Sequence, residues 1–261
     1  MKFFGDYHIH TTYSDGRSPL EEMVEAASLA GLKELGLADH GPRNLGSGVK
    51  SEQVLLHIKD ELNLSKEQYP EMKLYAGVEA NVVSLMGDLD ISREVIKQLD
   101  FLIAGLHPYV LPKKLKELPW VLKNNLFNVS SNWVSSGWSR GKSGGKRRII
   151  NDNTKALVEA IYRYEIDVIS HPGLKMEIDL AETAKACLAR DTCWEINTGH
   201  QHPGYQEVLE VARWGVNFMV NSDAHFPESV GALDYGSWVL EKAGVPLQQI
   251  KNAGEEVTDI L

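Results

Sequence analysis

The sequence predicts an α/β barrel of seven βα units, with a doubly wound open sheet as the alternative. Three observations lead there. Short apolar runs alternate with amphipathic stretches almost from end to end, the rhythm of strands and helices around a parallel sheet. A chain of 261 residues with 43% hydrophobic content is near the usual size of one such barrel and can bury a full core. Nearly every apolar run also ends in a histidine or a carboxylate, and a parallel barrel gathers those ends on one face.

The first strand is expected near Phe3 to His8. Its helix opens with Ser18 as N-cap, Pro19 at the first helical position, and Glu21 and Glu22 beside the positive helix end. Leu20, Met23, Val24, Ala27 and Leu29 supply the apolar stripe, and Gly31 the stop. The next strands read ELGLADH (34–40), LYAGVEAN (74–81), FLIAGLH (101–107), DVISHPG (167–173), CWEINTG (193–199) and NFMVNSDAH (217–225). Helical patterns fall near 51–68, 91–99, 152–165, 180–190, 204–214 and 231–243. Residues 109–150 break the rhythm with Trp120, Trp133, Trp138 and the run SSGWSRGKSGGKRR. They read as a long loop without regular structure, inserted over one end of a single domain spanning 1–261.

A net charge of −9 disfavours nonspecific nucleic-acid binding over the whole surface. The insertion is the exception, with nine Lys or Arg against one acid, Glu117. Cys187 and Cys193 lack the spacing of a disulfide framework or zinc knuckle and are expected to be buried thiols. The opening MKFFGDYHIH is too short an apolar run for a signal peptide, and no stretch approaches the roughly 18 apolar residues of a membrane span. The expected location is therefore the cytoplasm, with no membrane partner; oligomeric state is left open.

In a strand, His8 and His10 project to the same side, with Ile9 facing away. Later strand ends carry Asp39 and His40, Glu79, His107, His171, Glu195 and Asn197, and Asp223 and His225. Six of the nine histidines occupy such positions; His57, His200 and His202 do not. Any one of them could serve a turn, as His40 before Gly41 or His171 before Pro172. Crowded together and unpaired they would be strongly destabilising, and metal ions resolve that cost. Mixed imidazole and carboxylate donors suit zinc, manganese or iron. Nine candidates, His8, His10, Asp15, His40, Glu79, His107, His171, Asp223 and His225, exceed the roughly four to six ligands of one ion. Two or three ions are expected, with Glu79 as the bridging carboxylate. Of Glu195 and Asn197, one is expected to face the barrel interior.

In that order, HIHTTYSDG, ADHG, GVEAN, AGLHP, SHPG and NSDAH resemble the motifs of the polymerase and histidinol phosphatase (PHP) superfamily, from residue 5 to about residue 226. The resemblance implies a distorted (β/α)7 TIM-like barrel with two or three metal ions at the carboxyl ends of its strands. It implies that His8, His10, Glu79 and Asp223 surround one metal, that Glu79, His107 and His171 hold a second, and that His40 and His225 hold a third with Asp15. The stand-alone trinuclear-zinc phosphatases, similar in ADHGP and SHPG, often carry histidine in the first loop, where this chain has Asp15. With a length that leaves no room for a polymerase domain, the resemblance implies a stand-alone phosphoesterase.

The expected chemistry is hydrolysis of a phosphate monoester by in-line attack of a metal-bound hydroxide. Asp39 and His200 are candidates to protonate the leaving oxygen, with Asp39 alternatively orienting a histidine ligand. The basic insertion reads as an anion-gathering lid in which Arg140, Arg147 and Arg148 grip phosphate. Its tryptophans permit stacking on nucleobases, so the partner is a small phosphorylated substrate or a nucleotide or oligonucleotide. HQHPG (200–204) is a further candidate for substrate contact. Competing readings are a histidinol-phosphate phosphatase, a phosphodiesterase or exonuclease, an amidohydrolase-like activity, and a non-catalytic metal-binding accessory module for a polymerase.

Overall fold

The computed structural model describes residues 1–133 and 143–254, and side chains over 1–125 and 145–254. A short antiparallel ribbon joins β1 (Lys2–Phe3) to β10 (Ala253–Gly254). The remaining strands are parallel. β2 (Gly5–Asp6), β3 (Glu34–Leu37) and β4 (Lys73–Ala76) hydrogen-bond in that order. β5 (Glu79–Asn81), β6 (Ile103–Gly105), β7 (Val168–Ile169), β8 (Cys193–Asn197) and β9 (Phe218–Asn221) follow in chain order.

Two seams close these sheets into a ring, which decides against the open doubly wound sheet. β4 and β5 are one run interrupted at Gly77 and Val78, and a bridge between His40 and Glu79 ties that run to the end of β3, with Glu79 N donating to Asp39 O at 3.1 Å. The last and first strands meet at Ile9 and Ala224, where His10 N donates to Ala224 O at 2.9 Å and Ala224 N to His8 O at 3.2 Å. Seven strand runs, several only two or three residues long, thus form a distorted (β/α)7 barrel. Strands covered on both faces need apolar side chains on both, and Leu35, Leu37, Leu74, Ile103, Ile169, Trp194, Phe218 and Val220 are all buried.

Helices occupy the connections: α1 (Leu20–Leu29), α2 (Gln53–Ser65), α3 (Arg93–Ile96), α4 (Leu118–Trp133), α5 (Ser143–Arg163), α6 (Leu180–Arg190), α7 (Tyr205–Ala212) and α8 (Asp234–Ala243). α1 buries Leu20, Met23, Val24 and Ala27, but Leu29 is 82% exposed. At about 100° per residue, Leu29 points half a turn away from Leu20. Pro19 rather than Ser18 holds the N-cap position, and no side chain caps this helix. Gly31 does end it, in the left-handed conformation at φ 75°.

The segment 109–150 differs most from expectation. Its described residues are largely helical, with α4 following a short 3-10 turn at Leu115–Glu117, and α5 begins at Ser143 rather than near 152. Tertiary contacts hold α4 against α5 at Trp120, Asn124 and Asn153. Trp120 is buried, its Nε1 donates to Asn153 Oδ1 at 2.9 Å, and Asn153 Nδ2 donates to Asn124 Oδ1 at 2.9 Å and to Glu177 O at 3.1 Å. Trp138 and Arg140 lie outside the described residues. Cys187 and Cys193 are free and buried. No helix among the described residues is long and apolar enough to cross a membrane.

Candidate metal centre

At the carboxyl ends of the barrel strands the polar residues converge on Glu79, a fully buried carboxylate on β5. Its Oε2 lies 2.7 Å from His40 Nδ1, 3.2 Å from His8 Nε2 and 3.7 Å from His10 Nε2. Its Oε1 lies 2.9 Å from His107 Nε2 and 3.0 Å from His171 Nε2. Asp223 Oδ1 faces His10 Nε2 at 3.1 Å and His8 Nε2 at 3.6 Å. Asp15 sits at the outer edge, with His225 Nε2 at 3.4 Å, His10 Nδ1 at 3.6 Å and His40 Nε2 at 3.7 Å.

These side chains form three groups that could each hold a cation: His8, His10 and Glu79; His10, Asp15 and His225; and His40, Glu79 and His107. His40 therefore reaches both Glu79 and Asp15 instead of belonging to the outer group alone. The atoms fit cations for a further reason. Nε2 of His8 and His10, Nδ1 of His40 and Oε2 of Glu79 are buried without a hydrogen-bond partner. Orphaned buried polar atoms are costly, and a shared cation relieves that cost where they converge.

Surrounding residues fix the geometry. Glu195, fully buried on β8, accepts at Oε1 from His8 Nδ1 at 2.7 Å and Asn221 Nδ2 at 2.9 Å. Its Oε2 accepts from the His171 amide at 2.7 Å and Asn197 Nδ2 at 3.2 Å. Asn197 also donates to Asp223 Oδ2 at 2.9 Å. Glu195 and Asn197 both face inward, not just one of them as expected, because residues two apart on a strand share a face. Asp39 spends both carboxylate oxygens on the first loop, accepting from Thr11 N and Oγ1 at 2.8 Å each and from Ser14 Oγ. Gly16 lets that loop fold back on itself: a Cβ there would lie 2.6 Å from the His10 carbonyl.

Charge pairing dominates the titration of the centre. Burial drives the His8 imidazole toward neutrality, but the carboxylates of Glu195, Glu79 and Asp223 outweigh it and raise its pKa well above the ordinary value. His40, opposed in the same way by burial and by Glu79 and Asp15, is pushed up to about 9. Burial prevails at His107, which falls to about 4 despite Glu79. Glu79 and Asp223 are held well below the usual carboxylate range by their imidazoles, against the effect of burial.

A cleft of about 300 Å³ opens over the centre, lined by Asp15, His40, His107, His171, Asp223 and His225 together with His200, Tyr109 and Lys175. His200 Nε2 lies 3.4 Å from Asp223 Oδ2, and burial lowers its pKa against the pull of Asp223. His202 instead serves structure, its Nε2 lying 2.9 Å from Pro172 O. Arg147 and Arg148 are exposed on α5 and do not line the cleft. Of the six described non-glycine residues in left-handed backbone, Tyr109, His171, Lys175, Gln201 and Asp223 lie in loops at this end of the barrel. Such strain concentrates where surrounding structure holds functional residues in place. Sequence reasoning overlooked Tyr109 and Lys175, which no local motif marks.

The PHP domain family matches residues 6–209. A protein named probable phosphatase from Acetivibrio thermocellus is 25% identical over 99% of this chain and 95% of its own. Another of that name, from Caldicellulosiruptor bescii, is 28% identical over 95% of this chain and 91% of its own. Among solved structures, the histidinol phosphate phosphatase of Lactococcus lactis, in complex with zinc, L-histidinol and phosphate, matches with a TM-score of 0.59 at 16% identity, covering 93% of this chain and 94% of that one. At that identity the likeness speaks for the fold.

Proposed function

The chain belongs to the PHP domain family, and on that premise we propose that it is a metal-dependent phosphatase hydrolysing the monoesters of small phosphorylated molecules. The observation that carries this reading is the Glu79 carboxylate, both of whose oxygens face imidazole nitrogens, three on one and two on the other. That is the arrangement of a carboxylate bridging cations. We assign His8, His10, Glu79 and Asp223 to a first position, Glu79, His107 and His171 to a second, and Asp15, His40 and His225 to a third, with His40 also within reach of Glu79. Zinc, manganese or iron suits the donors, as two or three ions. When bound, such ions draw the phosphoryl oxygens, bring the pKa of water toward neutrality and offset charge on the leaving oxygen.

The protein's own groups prepare that chemistry. Glu195 holds His8 by Nδ1 so that Nε2 faces Glu79 and Asp223. Asp39, with both oxygens committed to Thr11 and Ser14, fastens the loop that presents Asp15; it neither orients an imidazole directly nor has a free oxygen for proton transfer. His200, with its lowered pKa, is neutral near pH 7, which favours a substrate contact over protonation of the leaving oxygen. Arg147 and Arg148 act on approaching anions at long range instead of gripping phosphate.

The test is metal analysis of the purified protein, combined with phosphate release from an aryl phosphate and from histidinol phosphate, sugar phosphates and short nucleotides. Two or three transition-metal ions per chain, with hydrolysis abolished by chelation and restored by reloading, is the expected result. Protein that carries its full zinc or manganese complement and leaves every ester intact overturns the reading in favour of a metal-binding accessory module.

A further inference from the structure

Apart from the candidate metal ligands, the described lining of the cleft is apolar or neutral, Leu45, Leu106, Leu174 and Tyr109 included, with His200 and one permanent charge, Lys175. No further carboxylate joins them. The acids of the lining are Asp15 and Asp223, both already facing imidazoles. An ammonium group on a substrate would thus meet a like charge and find no free acid. A carboxylate or a second phosphate would find a partner.

Lys175 is also well placed by its backbone. It sits on the turn that begins at His171, where Leu174 N donates to His171 O at 3.0 Å and Met176 N to Leu174 O at 2.7 Å. Met176 beside it is buried while Lys175 is exposed, so the turn is anchored and the ammonium is free to move over the cleft. The lysine adopts φ 58°, a left-handed conformation unfavourable for any side chain other than glycine. Tyr109, at φ 63°, is held in the same manner, its carbonyl accepting from Leu45 N at 3.1 Å and its amide donating to Asn125 Oδ1 at 3.1 Å. Through Pro172 O, His202 binds the Lys175 loop to the one that carries His200.

Resting on the phosphatase reading above, we infer that Lys175 selects the leaving group: the preferred substrates are phosphate monoesters whose alcohol carries a second anionic group beside an apolar face, and amino-alcohol phosphates are disfavoured. The ammonium contributes by electrostatic complementarity at the cleft mouth, and Tyr109 supplies a face for the apolar part.

The experiment compares kcat/KM of the metal-loaded full chain on 4-carboxyphenyl phosphate, benzene-1,4-bisphosphate and 4-(aminomethyl)phenyl phosphate. The two anionic esters separate a carboxylate from a phosphate as the preferred group. Taking each anionic-to-cationic ratio in a variant relative to wild type cancels the intrinsic reactivity of the esters. Lys175→Gln should lower the ratio about fivefold and Lys175→Glu about 25-fold, as expected when the attraction lost by the anionic ester and the repulsion lost by the cationic one are each worth about 0.5 kcal/mol. Lys175→Arg should preserve it. Lys175→Gly, which accepts the left-handed backbone, repeats the charge removal should Lys175→Gln fold poorly. A ratio unmoved by Lys175→Glu in a folded, metal-loaded chain overturns the inference while leaving the phosphatase reading intact. If wild type hydrolyses none of the esters, that reading falls and takes this inference with it.

Discussion

Replacing Glu195 by glutamine tests whether the centre depends on a carboxylate that touches no candidate cation position. Burial alone would raise this carboxyl, yet His8 and His171 hold it below the ordinary range, so it is ionised and accepts four hydrogen bonds. Glutamine has nearly the same shape but only one acceptor oxygen. Turned one way, its amide NH2 meets His8 Nδ1 and Asn221 Nδ2; turned the other, it meets the His171 amide and Asn197 Nδ2. Two buried donors lose their acceptor in either orientation, at about 1–3 kcal/mol each, so the fold should lose about 2–6 kcal/mol. At roughly 2 °C per kcal/mol for a chain of this size, Tm should fall by about 4–12 °C. The loosened His8 should also weaken metal binding by about 10- to 100-fold. Thermal melting of the metal-free protein and competition for zinc against a chromophoric chelator measure the two effects. A variant that melts within 2 °C of wild type and binds zinc within about twofold would refute the assignment of Glu195 as the residue that orients His8.

Asp15→Ala should lower the bound metal by about one equivalent while the His8, His10 and Glu79 group stays filled, read by elemental analysis after gel filtration. Metal uptake near pH 7.5 should release protons, because His40, raised to about 9, must become neutral to act as a ligand; calorimetry in buffers of different ionisation enthalpy counts them. For the metal-free chain the sign is the opposite of that for binding. A pKa raised in the folded state stabilises fully below the ordinary 6.5 and progressively less as pH rises through about 9, so its Tm should decline over that window while metal affinity climbs. His8, His171 and His225 shift in the same direction and reinforce the trend. Trp120→Ala should cost about 3–5 kcal/mol in denaturant unfolding, since it empties a buried site and strips Asn153 of a donor, and should leave the metal count unchanged.

What was legible in the sequence, and what was not, divides along one physical line. A strand repeats its side-chain direction every second residue, and a parallel barrel brings all its carboxyl ends together, so His8, His10, Glu79, His107, His171 and Asp223 announce a shared site without any knowledge of loops. Glu195 and Asn197 obey the same rule and both face inward, although only one was expected to, and only three-dimensional contact reveals that Glu195 serves His8. The helices α4 and α5 were hidden for the opposite reason. The asparagines and serines of α4 and the paired glycines near the start of α5 are weak helix formers, and the decisive contact, Trp120 with Asn153, spans 33 residues. Tyr109 and Lys175 lie beyond both kinds of signal, since nothing in LHPYV or HPGLKM marks a left-handed residue. Their conformations are imposed by Leu45 and Asn125 in one case and by the His171 turn and buried Met176 in the other. The candidate cation ligands are thus written largely in strand periodicity, with Asp15 on the first loop as the exception, whereas Tyr109 and Lys175 depend on loop conformations held from elsewhere in the chain. On the proposed reading, relatives that share the barrel and its cluster of imidazoles and carboxylates are expected to differ in substrate through positions equivalent to 109 and 175 sooner than through any strand end.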